Sequence, residues 1–222
     1  MKNPSQKRLL TLSHKGLILA PLVLAWTTST AHSALHLAFG VDTDSGSTNF
    51  DRIMVRDLHG DHYHTFSQNN GDPGSHIPAP FTLVPGGSTA TFNLAAMDIS
   101  PFSQSRYTTA LSPAGDFHLE LTALLGPGSE NLTVLFWHGD HTHTMAVGGS
   151  AEHLELDEIL DIELRLPAEA ELGSYTAEFR IVDESGNYTD SPTFSINANA
   201  IPEPSSLLLT LLGATALLRR KR

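Results

Sequence analysis

Hydrophobic and polar residues alternate in many short segments between residues 34 and 201. In segment 161–166 the apolar residues fall on one face and the charged residues on the other, as a half-buried strand requires. Clusters of Gly, Pro, Asp and Asn separate these segments and predict turns. The pattern predicts nine strands, at 35–41, 52–57, 81–84, 89–94, 117–125, 132–137, 159–166, 175–182 and 193–198.

Many short strands separated by Gly/Pro turns favour an all-β sandwich over a helical fold. The segment 173–198 predicts the terminal hairpin of an immunoglobulin-like β-sandwich. The stretch 95–115 matches no strand pattern well and is interpreted as a long loop with a helical turn. We therefore expect one immunoglobulin-like domain over residues 34–200, flanked by a signal peptide and a C-terminal sorting helix.

The first 33 residues have the pattern of a secretory signal peptide. Residues 1–15 carry four basic groups and no acid, and an apolar run of 11 residues follows at 16–26. A stretch of small and polar residues then ends at Ala31-His32-Ser33. This order of basic, apolar and small-residue regions predicts export and cleavage before Ala34.

The last 22 residues form a second targeting pattern. Pro202-Glu203-Pro204 precedes an apolar stretch at 205–218 and a basic end at 219–222. These three parts resemble the PEP-CTERM sorting signal of Gram-negative bacteria. The resemblance implies processing by an exosortase-type membrane protease and transient membrane association through 205–218. The alternative is a simple anchor, but 14 helical residues reach only about 21 Å of a roughly 30 Å hydrocarbon core.

The predicted domain is strongly acidic. Residues 34–200 contain 23 acidic and five basic residues, a net charge of −18, and no lysine. Such a surface repels nucleic acid and attracts cations, although solubility alone would also explain the charge. The chain has no cysteine, so a metal site here must be built from imidazole, carboxylate or backbone oxygen.

One seven-residue motif occurs twice and carries the candidate chemistry. His59-Gly60-Asp61-His62-Tyr63-His64-Thr65 recurs as His138-Gly139-Asp140-His141-Thr142-His143-Thr144, identical at six of seven positions. Residues two apart in a strand point the same way, so the two histidines of each His-x-His pair can converge on one ion. The candidate metal ligands are His62, His64, His141 and His143, with His59, His138 and His36 as further ligands.

The spacing leaves two arrangements open. Each motif can hold its own ion with three histidines, because glycine permits a tight turn that brings the first histidine round. Alternatively, the motifs lie on neighbouring strands and share one site of four imidazoles, which is the arrangement that we favour. Asp61 and Asp140 are expected to accept hydrogen bonds and orient an imidazole rather than bind the ion. His76, His118 and His153 are weaker candidates, and His118 is interpreted as a structural or surface residue.

These histidine clusters, together with the signal peptide, the opening Ala34-Leu35-His36-Leu37 and the PEP tail, resemble a family of PEP-CTERM proteins repressed by the bacterial zinc-uptake regulator. The segment 173–179 is also similar, more distantly, to an anchored surface domain linked to metal-transport operons. The resemblance implies zinc capture, storage or delivery under zinc limitation, in the periplasm, at the outer surface or in the extracellular matrix. A metal transporter is the candidate partner. Spacing alone indicates only a histidine-rich site, and copper(II) would bind such a site more tightly in a fair competition.

Two other functions remain open from the sequence. A metallohydrolase would need an open coordination position and a general base, for which Glu152 or Glu155 are candidates. An extracellular matrix or adhesion protein would use the metal only to brace its fold. If histidines are the ligands, affinity should fall steeply below about pH 6, because imidazole must be neutral to bind metal.

Overall fold

The structure is a computed structural model, and it describes residues 35–59, 62–65, 78–96, 107–108, 115–203 and 211–212. All of these residues belong to one of the two compact units of the chain, residues 32–222. At positions 58–59, 62–65 and 107–108 the description covers the backbone alone. The predicted signal peptide lies outside the described residues.

The described elements are almost entirely strands. The thirteen strands in this part of the chain are β1 (Leu35–Asp42), β2 (Ile53–His59), β3 (His62–Thr65), β4 (Phe81–Leu83), β5 (Ala90–Ala96), β6 (Tyr107–Thr108), β7 (Phe117–Leu125), β8 (Thr133–His138), β9 (His141–Met145), β10 (Glu152–His153), β11 (Ile159–Arg165), β12 (Gly173–Asp183) and β13 (Phe194–Ala200). One short 3-10 helix, Ser129–Asn131, lies between β7 and β8.

The strands form two mixed sheets. The larger sheet has the order β3-β2-β1-β5-β11-β8-β9, and β6 pairs with the end of β1. The smaller sheet has the order β10-β7-β12-β13-β4. The pairs β1·β5 and β13·β4 are parallel, and the other pairs are antiparallel. Consecutive strands often lie in different sheets, so the chain crosses repeatedly from one layer to the other.

A single hydrophobic core lies between the two sheets. Phe39 and Phe92 of the larger sheet contact Phe117 and Phe179 of the smaller one, with ring centroids 6.2 and 5.7 Å apart. Every second residue is buried from Phe117 to Leu121 of β7 and from Tyr175 to Asp183 of β12, which is the alternation expected when one face of a sheet covers a core. The fold is therefore an all-β sandwich, as the sequence predicts.

All nine predicted strands are present, and β7 has the predicted bounds. The segment 173–200 forms the expected hairpin of β12 and β13. The hydroxyl of Tyr175, at the start of β12, donates a hydrogen bond of 2.7 Å to the carbonyl oxygen of Glu171. Burial, followed by the nearby charges of Glu171 and Glu130, raises the pKa of Tyr175 and keeps this hydroxyl protonated.

Four short strands, β3, β6, β9 and β10, were not predicted. The stretch 95–115 begins with the end of β5 and contains β6, and its residues 97–106 and 109–114 lie outside the described part. In β11, the predicted alternation holds with one exception: Glu163 is also buried, on the outer face of the sheet.

The C-terminal pattern is described only in small part. Residues 201–203 are extended coil, and Leu211 and Leu212 are helical and exposed. The rest of the predicted sorting helix lies outside the described residues. Among the residues that the structure describes, none forms a helix of the length and hydrophobicity needed to cross a membrane.

Candidate metal centre

Each histidine motif forms the tip of a β-hairpin. In the second motif His138 of β8 pairs with His141 of β9, so that Gly139 and Asp140 form a two-residue connection. In the first motif His59 of β2 pairs with His62 of β3 at the same spacing. In the second motif the predicted tight turn is therefore present and follows the first histidine, and residues 60 and 61 of the first motif lie outside the described residues.

Gly139 shows why the motif needs glycine. Its φ angle is 57°, in the left-handed region that a residue with a Cβ enters only at a cost. A positive φ at the first of two central residues is typical of the turns that match the twist of a hairpin. The glycine thus sets the register that places His138 opposite His141.

The two hairpins do not meet along the sheet. β3 is one edge strand of the larger sheet and β9 is the other, with β2, β1, β5, β11 and β8 between them. The expectation that the motifs lie on neighbouring strands is therefore wrong, and this strand order does not favour a shared four-imidazole site. The physical reason is that β8 pairs with β11 and β2 pairs with β1, so each hairpin extends the sheet outward.

In the second hairpin each histidine lies beside a carboxylate of its own. His141 Nε2 is 3.2 Å from Asp140 Oδ1, and His143 Nδ1 is 3.4 Å from Glu152 Oε2. His138 Nε2 is 3.9 Å from Glu158 Oε2. Asp140 thus lies where it can accept from an imidazole, which is the role that the sequence predicts for it, although its side chain is almost fully exposed.

The other predicted site residues are distributed as follows. His36 is exposed on β1, at a position facing away from the core, because its neighbours Leu35 and Leu37 face inward. The structure does not bring His36 to the described histidines of the second hairpin. In the first hairpin the register pairs Asp57 with His64, and the side chains of His59, His62 and His64 are outside the description. Asp61 and His76 lie outside the described residues, so the role of the first motif stays a prediction.

A different cluster contains the closest set of possible ligands in the described part of the chain. Asp116, His118 and His153 each offer one ligand atom, and these three atoms lie within 4.8 Å of one another. His118 Nε2 is 2.8 Å from Asp116 Oδ1, and His153 Nδ1 is 3.2 Å from the same oxygen. The two imidazole rings meet edge to face, with centroids 5.1 Å apart.

The smaller sheet builds this cluster on its outer face. Phe117 and Leu119 of β7 are fully buried in the core, so His118 between them points outward. His153 of β10 is the direct cross-strand partner of His118, which brings the two rings together. Asp116 immediately precedes β7 and lies two residues before His118, on the same face.

Hydrogen bonds to the backbone hold Asp116 in place. Its N–H donates to Asp183 Oδ1 at 3.2 Å, and its carbonyl oxygen accepts from the N–H of Glu184 at 2.9 Å. Asp183 also accepts from Ser185, Asn187 and Tyr188. Burial alone would raise the pKa of Asp183, but these donors together outweigh it and lower the pKa below its ordinary value. The anion that positions Asp116 is therefore stable in the folded protein.

Further carboxylates surround the cluster. Glu155 Oε1 is 3.6 Å from His153 Nε2, and Glu184 Oε2 is 3.9 Å from His118 Nε2. The arginine on this sheet, Arg180, is engaged by Glu120 and Asp190 instead. Among the described residues, His118 and His153 are therefore the basic side chains beside the three carboxylates of this cluster. The excess of carboxylates creates a local electrostatic field that favours a cation.

The spacing within the cluster suits a small divalent metal. Two ligands on a tetrahedral ion at 2.0–2.1 Å lie about 3.3 Å apart. The separations of 2.8 and 3.2 Å from Asp116 Oδ1 are close to that value. His118 is mostly buried and the other two side chains are half exposed, so an ion can reach them from solvent. Asp116, His118 and His153 could thus bind a metal ion with further coordination positions open.

The sequence interpretation missed this cluster. Asp116-Phe117-His118 has the same two-residue spacing as the His-x-His pairs and was a usable signal. His153, in contrast, lies 35 positions after His118 in sequence, in a strand of two residues that no periodicity can predict. Only the pairing of β10 with β7 shows that these residues meet.

Comparisons with known proteins add little to this site. No protein-family model matches the chain, and no curated protein matches it. Among solved structures, a family 123 glycoside hydrolase from Clostridium perfringens is similar over 56% of this chain and 23% of the hydrolase, with 10% identity and a TM-score of 0.31. The chain thus spans less than a quarter of that enzyme, and a likeness this distant carries no argument about fold or activity.

Proposed function

We propose that this chain is an exported metal-binding protein that captures, stores or delivers zinc outside the cytoplasm. The observation that carries the proposal is the cluster of Asp116, His118 and His153, whose ligand atoms lie within 4.8 Å of one another. Two imidazoles and a carboxylate are a ligand set that zinc accepts in proteins. The acidic character of the predicted domain is consistent with the capture of cations.

Zinc, export and surface location rest on the sequence. Imidazole also suits copper and nickel, so the ligand set alone does not select zinc. The resemblance to PEP-CTERM proteins under the zinc-uptake regulator supports zinc. The predicted signal peptide and sorting tail support export and processing by a membrane protease. The immunoglobulin-like subclass of the sandwich belongs to the same proposal, and it is favoured by Tyr175, whose hydrogen bond to Glu171 has the form of a tyrosine corner.

The test is metal content after competition. The full-length chain is equilibrated with zinc and copper together at pH 7.5, and retained metal is measured by elemental analysis. We expect zinc to be retained with the cluster intact, and the variant Asp116→Asn/His118→Ala/His153→Ala to lose at least one ion per chain. Asp161→Asn is the control, because it removes an exposed carboxylate of the larger sheet that belongs to none of the candidate sites.

Each alternative result has a distinct meaning. Preferential retention of copper would move the function to copper handling. A cluster variant that keeps all its metal would contradict the assignment of these three residues. A third outcome is that the cluster variant loses metal and thermal stability, while deletion of the gene leaves cellular zinc unchanged. The metal would then be structural, as in an extracellular matrix protein.

A metallohydrolase is the second candidate, and one observation favours it. Glu155 lies 3.6 Å from His153 at the edge of a half-exposed group with open coordination positions. Catalytic zinc sites keep such a position for water, and a neighbouring carboxylate can serve as its general base. Hydrolysis of an ester or phosphoester by the zinc-loaded chain, abolished in Glu155→Gln without loss of bound zinc, would support this function.

A further inference from the structure

His143 and Glu152 come from the edge strands of different sheets and contact each other. His143 lies on β9 of the larger sheet, and Glu152 lies on β10 of the smaller sheet. Their Nδ1 and Oε2 atoms are 3.4 Å apart. The chain joins the two strands through residues 146–151, so this contact lies at an edge of the sandwich, beside the second hairpin.

Both side chains extend from the inner faces of their sheets. Val134 and Phe136 of β8 are buried in the core, and the register pairs Val134 with Met145 and Phe136 with His143. His141 pairs with His138 on the same face of the hairpin. On the other sheet Glu152 pairs with Leu119, which is also fully buried in the core. The imidazole and the carboxylate thus approach each other across the gap between the sheets.

Glu152 is a mostly buried carboxylate that contacts His143. Its side chain is only 17% exposed, whereas that of His143 is 51% exposed. The arginines whose ion pairs are described elsewhere in the sandwich, Arg165 and Arg180, are engaged by Glu163 and by Glu120 with Asp190. Within the described residues the ion-pair partner of Glu152 is His143. A carboxylate held out of solvent in this way gains from a divalent cation.

His141 can complete the ligand set. It lies two residues from His143 on the same face, about 6.6 Å away along the strand, which is a distance that two imidazoles can bridge around one ion. Its side chain is 74% exposed and lies beside the exposed Asp140, so the proposed site requires it to turn from Asp140 toward Glu152. His138 lies beside Glu158 and is not needed.

We propose that His141, His143 and Glu152 form a second zinc site, which joins β9 to β10 and closes this side of the sandwich. The inference rests on the proposed zinc function but uses none of the residues of the Asp116–His118–His153 cluster. Glu152 and His153 are adjacent on β10 and face opposite sides of the sheet. The two sites are therefore separate, one on the inner face of this strand and one on its outer face.

The experiment counts ions by native mass spectrometry of the full-length chain loaded with zinc, and measures affinity by competition with a chromophoric chelator. The background is a variant that combines Asp116→Asn/His118→Ala/His153→Ala with His59→Ala/His62→Ala/His64→Ala, so that neither the first cluster nor the first histidine motif contributes an ion. We expect this background to retain one ion. Adding Glu152→Gln or His143→Ala should weaken that ion at least ten-fold. Adding Glu158→Gln is the matched control and should leave it unchanged.

The possible failures are distinguishable. A background protein that retains no ion, while the unmodified chain binds one, would overturn the second site and leave the proposed function standing. An unmodified chain that binds no zinc would overturn both. Retention of the ion with unchanged affinity after Glu152→Gln would show that histidines alone hold it and would also overturn the proposed site. Thermal denaturation identifies any variant that fails to fold. If Glu152→Gln fails to fold, Glu152→Asp takes its place, because it keeps the carboxylate and shortens the side chain by one methylene group.

Discussion

Individual buried carboxylates show how this acidic chain stabilises charges inside and beside its sheets. Glu163 is 6% exposed, and it accepts hydrogen bonds of 2.7 and 2.9 Å from Arg165 and one of 3.3 Å from Trp137 Nε1. The Arg165 hydrogen bonds lower the pKa of Glu163 most, and burial opposes them. The prediction from the alternating pattern that Glu163 is exposed was wrong, because the side chains of Arg165 and Trp137 cover Glu163 on the outer face of the sheet.

We expect Glu163→Gln to lower the free energy of unfolding at pH 7 by about 1–3 kcal/mol, since it removes a charge-assisted pair from a buried position. The folded-state pKa of Glu163 lies below its ordinary value of 4.5, so its stabilising effect is present above that value. The effect is lost as the pH falls through the folded-state pKa. Denaturant titrations at several pH values should therefore show the variant and the unmodified chain converging in acid.

The control for this change is Glu178→Gln, which alters a strand glutamate with no ion pair among the described residues. It should shift stability little at any pH. A difference between Glu163→Gln and the unmodified chain that stays constant from pH 7 to pH 3 would contradict the assignment.

Asp183 affects the candidate metal site indirectly, by positioning the candidate ligand Asp116. We expect Asp183→Asn to weaken zinc binding at the Asp116 cluster about ten-fold, because Asp183 holds the backbone N–H of Asp116. Chelator competition measures the affinity, and denaturant titration reports the accompanying loss of stability. Asp161→Asn, on the larger sheet, is the control and should leave zinc affinity unchanged. A loss of stability without a change in affinity would assign Asp183 to the β12–β13 turn alone.

At the scale of strands, periodicity predicted well wherever a segment was long enough to alternate. β7, with nine residues, was predicted to the residue, and β12 was extended by two residues at its start and one at its end. β9 and β10 were missed because β9 is exposed over four of its five residues and β10 has only two, so neither shows a hydrophobic period. Those two strands carry His141, His143 and His153, so the candidate sites lie in the part of the fold that the sequence predicted least.

The turn of the second hairpin can be tested directly. Gly139 has φ 57°, and an added Cβ would meet nothing within 4 Å. We expect Gly139→Ala to cost about 1 kcal/mol through backbone conformation alone, and Gly139→Asn to cost less, because Asn enters the left-handed region more readily. Hydrogen exchange of the β8 and β9 amides should increase in the alanine variant.

Gly186→Ala is the control for that experiment. Gly186 also has a positive φ and open space, but it lies in the turn after β12. Gly186→Ala should lower the global free energy of unfolding. The β8 and β9 amides should then exchange faster only by the amount that this global change explains. Equal loosening of the second hairpin in both variants would contradict a local role for Gly139.

At the scale of the whole molecule, composition indicated the class of site but not its place. The absence of cysteine limited the candidate ligands to imidazole, carboxylate and backbone oxygen, and the Asp116 cluster offers the first two of these types. The repeated motif suggested one shared centre, whereas the strand order separates the two hairpins across the full width of the larger sheet. Strand order depends on pairings between distant segments, and a single sequence does not encode these in any local pattern.

The two parallel strand pairs have a consequence for how the chain reaches this structure. β1 pairs with β5 and β13 pairs with β4, which joins segments roughly 60 and 120 residues apart in sequence. Contacts of such high sequence separation must close long loops before they stabilise anything, so folding should be slow, on the order of milliseconds to seconds. Stopped-flow refolding followed by Trp137 fluorescence measures this rate, and a microsecond phase with full amplitude would contradict it. For most of that time the edge strands would remain unpaired, and the chain would depend on its high negative charge to keep neighbouring copies apart.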